Sequence, residues 1–205
     1  MYVPKIFESD SIEDVRNFVE KNGFASLVSA TSGTMMATHT PLMIDTKGDQ
    51  EFLIGHIARA NSQHASFDET TPLLAIFINQ HAYISSSWYD HINVPTWNYI
   101  AVHITGTASI IDGEELKSSL HHLVTKYESS DDTGFSLDKM PAEMLNREMR
   151  GIVGFRMRID KIVASYKLSQ NRNESDYKNI IKELKQSGDS LSIQIAEDME
   201  KKNQN

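Results

Sequence analysis

The chain contains no cysteine. That excludes a disulfide framework, a thiolate zinc centre and a cysteine nucleophile, and it fits a reducing compartment. No run of about 18 apolar residues occurs, so no membrane-spanning helix is expected. The opening Met1-Tyr2-Val3-Pro4-Lys5-Ile6-Phe7-Glu8 lacks the apolar stretch of a secretory signal, and a cytoplasmic protein is expected. A G-x-G-x-x-G turn and a P-loop are both missing, which removes support for a Rossmann or Walker-type nucleotide site. There is no G-x-S-x-G, and the Ser85-Ser86-Ser87 run reads as a strand end rather than a nucleophile elbow. The eight histidines include no H-E-x-x-H, and their spacings give no metal site. Nothing repeats internally.

What is present is an ordinary globular composition, 40% hydrophobic and 23% charged over 205 residues, enough for one well-buried core. A single domain over 1–205 is expected, with a C-terminal helical segment about 173–202. The net charge is −8, and it is unevenly spread. From Arg147 to Lys185 there are ten Lys/Arg against five Asp/Glu, a net of +5, while the remainder carries −13. Such a basic segment suggests an anion site or a weak nucleic-acid face, the alternative being solvated helix faces and interface salt bridges.

The first helix is expected to begin at the capping-box pattern Ser11-Ile12-Glu13-Asp14, with Ile12, Val15, Phe18 and Val19 as its apolar stripe. Phe24 to Ala30 and Met35 to Ile44 read as strands joined by a turn at Ser32-Gly33, and Phe52 to Ile57 follows the turn at Thr46 to Asp49. A short helix is expected from Asn61 to Phe67, then strands at Leu73 to Ile78 and Ala82 to Ser85. After a loop comes a long strand from Trp97 to Ile111, then a helix from Glu114 to Glu128 with Leu116, Leu120, Leu123, Val124 and Tyr127 on one face. Ser129 to Gly134 reads as a loop, Pro141 as the opening of a helix, and Ile152 to Tyr166 as a strand with Val153, Phe155, Met157 and Ile159 facing one way. Two helices, near Ser175 to Gln186 and Ser190 to Lys201, finish the chain. Six or so strands with few helices, mostly joined by tight turns, predict a mixed α+β chain: an antiparallel barrel with peripheral helices.

Three stretches combine residue types that can carry chemistry. In Gly55-His56-Ile57-Ala58-Arg59-Ala60-Asn61-Ser62-Gln63 a buried strand runs into a short helix, whose unpaired N–H groups suit a phosphate, with Arg59 as an always-charged clamp. Equally, Arg59 would pair with Asp68 or Glu69 while Asn61 caps the helix. Val94-Pro95-Thr96-Trp97-Asn98-Tyr99, with Trp88-Tyr89 upstream, offers a flat apolar wall edged by amide and hydroxyl groups. That suits a planar heterocycle, and it also suits a core or a dimer interface. Lys167-Leu168-Ser169-Gln170-Asn171-Arg172 places two cations after the last strand, able to close over a ligand or touch backbone phosphates, or simply to precede a cap at Asn173.

Together with Met1-Tyr2-Val3-Pro4 and Ala37-Thr38-His39, these stretches resemble, in order and over nearly the whole chain, the PaiB-type FMN-binding negative transcriptional regulators. The resemblance implies an antiparallel split β-barrel of the pyridoxamine-phosphate-oxidase and flavin-reductase type, working as a homodimer with FMN at or near the subunit interface. It further implies repression of sporulation and degradative-enzyme genes. By motif, Arg59 and the backbone from Ala58 to Asn61 would hold the phosphate, Thr38 and His39 would lie near the ring, and Trp97-Asn98 would wall it. His56, Ile57 and Gln170 join the implied cofactor-binding set.

No helix-turn-helix is evident, and the chain is acidic. If DNA is contacted, Arg172, Lys178, Lys182 and Lys185 are the candidates; a regulatory protein partner or flavin chemistry would serve the same end. Two other functions stay open. One is an FMN-dependent oxidoreductase resembling the flavin reductases, although no general acid or base is evident beside the expected flavin. The other is a haem-binding or haem-degrading split barrel, with His39 or His103 as the ligand.

Overall fold

A computed structural model describes residues 1–9, 11–31, 33–128 and 135–202. Ser32 of the expected turn and the expected loop at 129–134 lie outside the described residues. Six strands, β1 (Phe24–Thr31), β2 (Thr34–Lys47), β3 (Gln50–Ala58), β4 (Asp68–Ile84), β5 (Thr96–Ile111) and β6 (Ile152–Lys167), follow one another in a closed ring ordered β1-β2-β3-β6-β5-β4. Among the described residues, five α-helices accompany them: α1 (Ile12–Lys21), α2 (Gly113–Glu128), α3 (Ala142–Arg150), α4 (Glu174–Gln186) and α5 (Ser190–Lys202). β1 pairs with β2 and β4, and β3 with β2 and β6, all antiparallel. The expected class, an antiparallel split β-barrel with peripheral helices, is the observed one. No described helix is long and apolar enough to cross a membrane.

The chain divides into two compact units, one comprising Met1–Phe18, Phe77–His103 and Val163–Asn205, the other Val19–Ile76 and Ile104–Ile162. In the second unit, Leu27, Leu42, Leu53, Phe155 and Met157 are fully buried, as strand alternation requires of inward positions. α2 closes over this sheet through Leu116, which clusters with Ile54 and Ile111 and with the partly buried Leu120, Met149 and Ile152. Tyr127, expected on the same stripe, is exposed. In the first unit, α4 and α5 pack together through Ile180, Leu184, Ile195 and Met199, all buried, and Tyr177 Oη donates to the Met199 carbonyl at 2.7 Å.

Two elements differ from expectation for identifiable reasons. β4 is one strand where the sequence suggests two, because Asn79-Gln80-His81 looks like a break. The inward set shifts there from Leu73, Ala75 and Phe77 to Gln80, Ala82 and Ile84, a one-residue slip of the kind a bulge produces. Gln80 stays inside because its Nε2 donates to Asp198 Oδ2 at 2.7 Å. In α1, Ser11 Oγ accepts from Asp14 N as the capping pattern predicts, but Ile12 is exposed while Val15, Phe18 and Val19 are buried.

Candidate cofactor site

β3 ends at Ala58, and the chain turns at once: Asn61 N donates to the Ala58 carbonyl at 2.9 Å. Asn61 then does two jobs. Its Oδ1 accepts from Gln63 N at 3.0 Å, capping a five-residue 3-10 helix, Ser62–Ser66, and its Nδ2 donates to Thr38 Oγ1 at 2.7 Å. The structure thus brings Thr38 and Asn61 together across 23 residues of chain. The short 3-10 helix stands where a helix from Asn61 to Phe67 was expected. Gln63, absent from the sequence-based site, braces this corner; it is fully buried and its Nε2 donates to the Leu27 carbonyl at 2.9 Å and to Ser29 Oγ at 3.2 Å.

Arg59 does not pair with Asp68 or Glu69. Its Nε donates to the Arg150 carbonyl and its Nη2 to the Ile152 carbonyl, each at 2.7 Å, while its backbone N–H reaches Gly151 O at 2.8 Å. A cation belongs there, because the last carbonyls of α3 carry the negative end of the helix dipole. Asp68 instead accepts from the backbone N–H groups of Thr70 and Thr71 at 2.9 and 2.6 Å and from both hydroxyls, which hold its carboxyl far below the usual range. Arg59 therefore has no carboxylate partner among the described residues, and its fork is oriented by two carbonyls.

His39 shares a hydrogen bond between Nδ1 and Ser26 Oγ at 2.9 Å. His56 is half-buried and its carbonyl accepts from Thr40 Oγ1 at 2.7 Å; Ile57 is buried in the core. Burial pushes the His56 imidazole below its ordinary value of 6.5, and burial, then the N-terminal ammonium, does the same for His103. A folded-state value below the unfolded one means that the unfolded chain binds more protons as pH falls toward and below 6.5, so stability rises with pH across that window and is lost on acidification. The melting temperature is expected to fall between pH 7.5 and 5.5, taken as roughly one unit either side of an ordinary histidine value. His56→Gln combined with His103→Gln should flatten the fall; an unchanged slope would remove these two groups from the account.

The first unit holds the rest of the expected set. Trp97, 52% exposed, packs edge-on to Tyr83 at 5.7 Å and tilted against His81 at 5.9 Å, partners the sequence did not suggest. Asn98 is fully buried: its Nδ2 donates to Ser169 Oγ at 2.9 Å, and Ser169 Oγ donates to Asn98 Oδ1 at 3.1 Å. Adjacent strand residues face opposite ways, so the wall offered to a ring by this pair is Trp97. Gln170 spends its amide on the backbone, Oε1 accepting from Leu168 N at 2.7 Å and Nε2 donating to the Tyr166 carbonyl.

Of the residues named for DNA, Lys178 pairs with Glu174 and Lys185 with Glu200, and Arg172 lies 4.8 Å over the Tyr89 ring. A further cluster escaped the sequence reading. His91 Nδ1 lies 3.1 Å from Asp90 Oδ1 and 3.3 Å from the buried Asp176 Oδ2, and His91 is the foremost cause holding the Asp90 carboxyl below its usual range. The three ligand atoms lie within 4.8 Å of one another, at separations that an imidazole–carboxylate hydrogen bond accounts for by itself.

In one unit the Arg59 fork is held by two carbonyls and Asn61 Nδ2 reaches Thr38; in the other the Trp97 ring is half-exposed. Residues 1–161 match the family described as "Putative FMN-binding domain", and the chain belongs to that family of FMN-binding domains. More particularly it is of the PaiB type: it is 44% identical over 202 residues, 98% of each chain, to "Protease synthase and sporulation protein PAI 2" of Bacillus subtilis (strain 168). Among solved structures it resembles the flavocytochrome Anf3 of Azotobacter vinelandii, with a TM-score of 0.63, 16% identity and coverage of 86% of this chain and 78% of that one. It also resembles the FAD and heme binding protein of Mycobacterium smegmatis, with a TM-score of 0.60, 15% identity and coverage of 78% and 73%. At these identities the likeness is one of fold.

Proposed function

We propose that this chain binds FMN and acts, as a cytoplasmic homodimer, as a negative regulator of gene expression of the PaiB type, repressing sporulation and degradative-enzyme genes. The observation that carries the reading is the 44% identity over 98% of both chains to a relative named for protease synthesis and sporulation. In one unit Arg59, in the turn from Ala58 to Asn61, holds the phosphate through its guanidinium, since the Arg59 and Asn61 N–H groups are bonded to the Gly151 and Ala58 carbonyls; Thr38, His39 and His56 belong to the same unit, with Ile57 in its core. In the other unit Trp97 walls the ring, and Asn98 and Gln170 fix the backbone of that unit. Bound FMN supplies redox chemistry or a redox-sensitive shape. DNA contact falls to Arg172 and Lys182, since Lys178 and Lys185 are already paired with carboxylates.

The test is absorbance during FMN titration, at the flavin band of about 450 nm, for the wild type and Arg59→Ala. Loss of one charge-assisted contact to phosphate is expected to weaken FMN roughly 10–100-fold. Equal affinity would move the phosphate away from Arg59, and no binding at any concentration would remove the cofactor. A salt-dependent shift of promoter DNA, lost in Arg172→Gln with Lys182→Gln, supports direct DNA contact; steady oxidation of NAD(P)H by the FMN-loaded protein would point to the oxidoreductase instead.

A further inference from the structure

The turn after β6 holds two cations that no carboxylate among the described residues neutralises. Lys167 is the last residue of β6, and Arg172 lies beyond a turn closed by Arg172 N donating to Ser169 O at 3.0 Å. Ser169 holds that turn in the left-handed region at φ 61°, a conformation a serine keeps only when its surroundings fix it. Neither cation makes an ion pair among the described residues. Lys167 Nζ donates to Thr96 Oγ1 at 2.6 Å and stands 5.9 Å over the Phe7 ring. Arg172 stacks on Tyr89, and its Nε is buried without a hydrogen-bond partner, as is Tyr89 Oη. The carboxylates of Asp90 and Asp176 are turned to His91.

A buried N–H left unpaired is costly, and two like charges held near each other add repulsion. That repulsion is felt: burial first, and Arg172 second, push the Lys167 ammonium below its ordinary value. The inventory is one-sided. Lys167 retains two N–H donors, the Thr96 hydroxyl hydrogen is free because its oxygen is the acceptor from Lys167, and Arg172 Nε and Tyr89 Oη have no acceptor. What would satisfy all of them is an oxygen-rich negative charge, which a guanidinium and an ammonium bind strongly in a half-buried setting.

We propose that Lys167, Arg172 and Thr96 form an anion subsite that takes the phosphate or carboxylate group of a small-molecule ligand. The group comes either from FMN itself or from a separate small anion, and the site stands whether or not the chain is a regulator.

The test uses the full chain in an amine buffer, with inorganic phosphate as the probe and chloride at matched ionic strength as control. Phosphate at about ten times its dissociation constant should raise the melting temperature by about 3–6 °C, and chloride should not. Lys167→Met, which keeps a stem over Phe7, and Arg172→Gln should each abolish the shift, and Arg172→Lys should restore part of it. Without phosphate, Lys167→Met should be at least as stable as the wild type, since it removes a repelled, half-buried charge. FMN titrations of the same variants identify the source. FMN binding kept in Lys167→Met assigns the site to a separate anion. FMN binding lost in Lys167→Met but kept in Arg59→Ala assigns it to the FMN phosphate, and then Arg59 does not hold that phosphate. The proposal is overturned if phosphate does no more than chloride, if the shift survives in both variants, or if Lys167 and Arg172 govern binding of duplex DNA but not of phosphate.

Discussion

Gly106→Ala is expected to destabilise the fold by about 4 kcal/mol or more, a large share of the 5–15 kcal/mol typical of a whole domain. Gly106 lies in the middle of β5, and β6 is the next strand of the ring. A methyl group built on Gly106 would stand 1.7 Å from the Arg158 carbonyl oxygen and 2.9 Å from its carbon. Those are backbone atoms, so no side chain can swing aside, and two strands would have to part. A glycine inside a strand is otherwise unfavourable, and close backbone approach is the reason to keep one. Gly151→Ala is the matched control. Gly151 follows α3 with helical angles, φ −76° and ψ −10°, and its added methyl group would meet only the Glu148 carbonyl at 3.2 Å; it should change stability by less than about 1 kcal/mol. Urea unfolding of both proteins decides the matter: closely similar midpoints with unchanged slopes would show that β5 and β6 can separate at little cost.

What the sequence made legible, and what it hid, divides by range. The strands were readable because inward residues recur every second position: Val153, Phe155 and Met157 alternate with Arg156 and Arg158, and the first three are buried. Caps were readable because their partners are three residues away, as for Ser11 with Asp14 and Asn173 with Asp176. The start of β4 was not, because Asp68-Glu69-Thr70-Thr71-Pro72 has the composition of a loop. There the Asp68 carboxylate gathers four hydrogen bonds from Thr70 and Thr71, and Glu69 takes a positive φ of 64°, so polar residues open a strand without alternation.

The candidate site was legible as residue types and hidden as partnerships. Arg59 was visible as a cation at the end of a strand. That two carbonyls 91 and 93 residues away would orient it leaves no local mark, since every residue has a carbonyl. Trp97 was visible as an aromatic at a strand entry, while its partners His81 and Tyr83 come from β4. The Asp90–His91–Asp176 cluster joins residues 86 apart, and His91 alone in a loop says nothing of it. The resemblance supplied what periodicity could not, because a family motif keeps distant stretches in one list before any geometry is known.

Asn98 and Trp97, neighbours on β5, should fail in opposite ways when truncated. Asn98→Ala is expected to cost about 2–4 kcal/mol, from a buried cavity and from a Ser169 hydroxyl left without its partner. At this chain length that lowers the melting temperature by roughly 6–12 °C. Trp97→Ala removes a half-exposed ring, so its stability cost should be well below that of Asn98→Ala, while FMN binding, on the function proposed here, should weaken. The argument for Asn98 rests on a two-way hydrogen bond, which a double-mutant cycle can isolate. Asn98→Ala and Ser169→Ala should together cost less than the sum of the two, with a coupling of roughly 0.5–3 kcal/mol. Additive effects would mean that Asn98 acts by volume alone. The left-handed backbone of Ser169 would then be fixed by the turn itself, and β5 would hold the turn's cations only through the Thr96–Lys167 hydrogen bond. A measured coupling would tie that turn, and the two cations it presents, to the strand that carries Trp97.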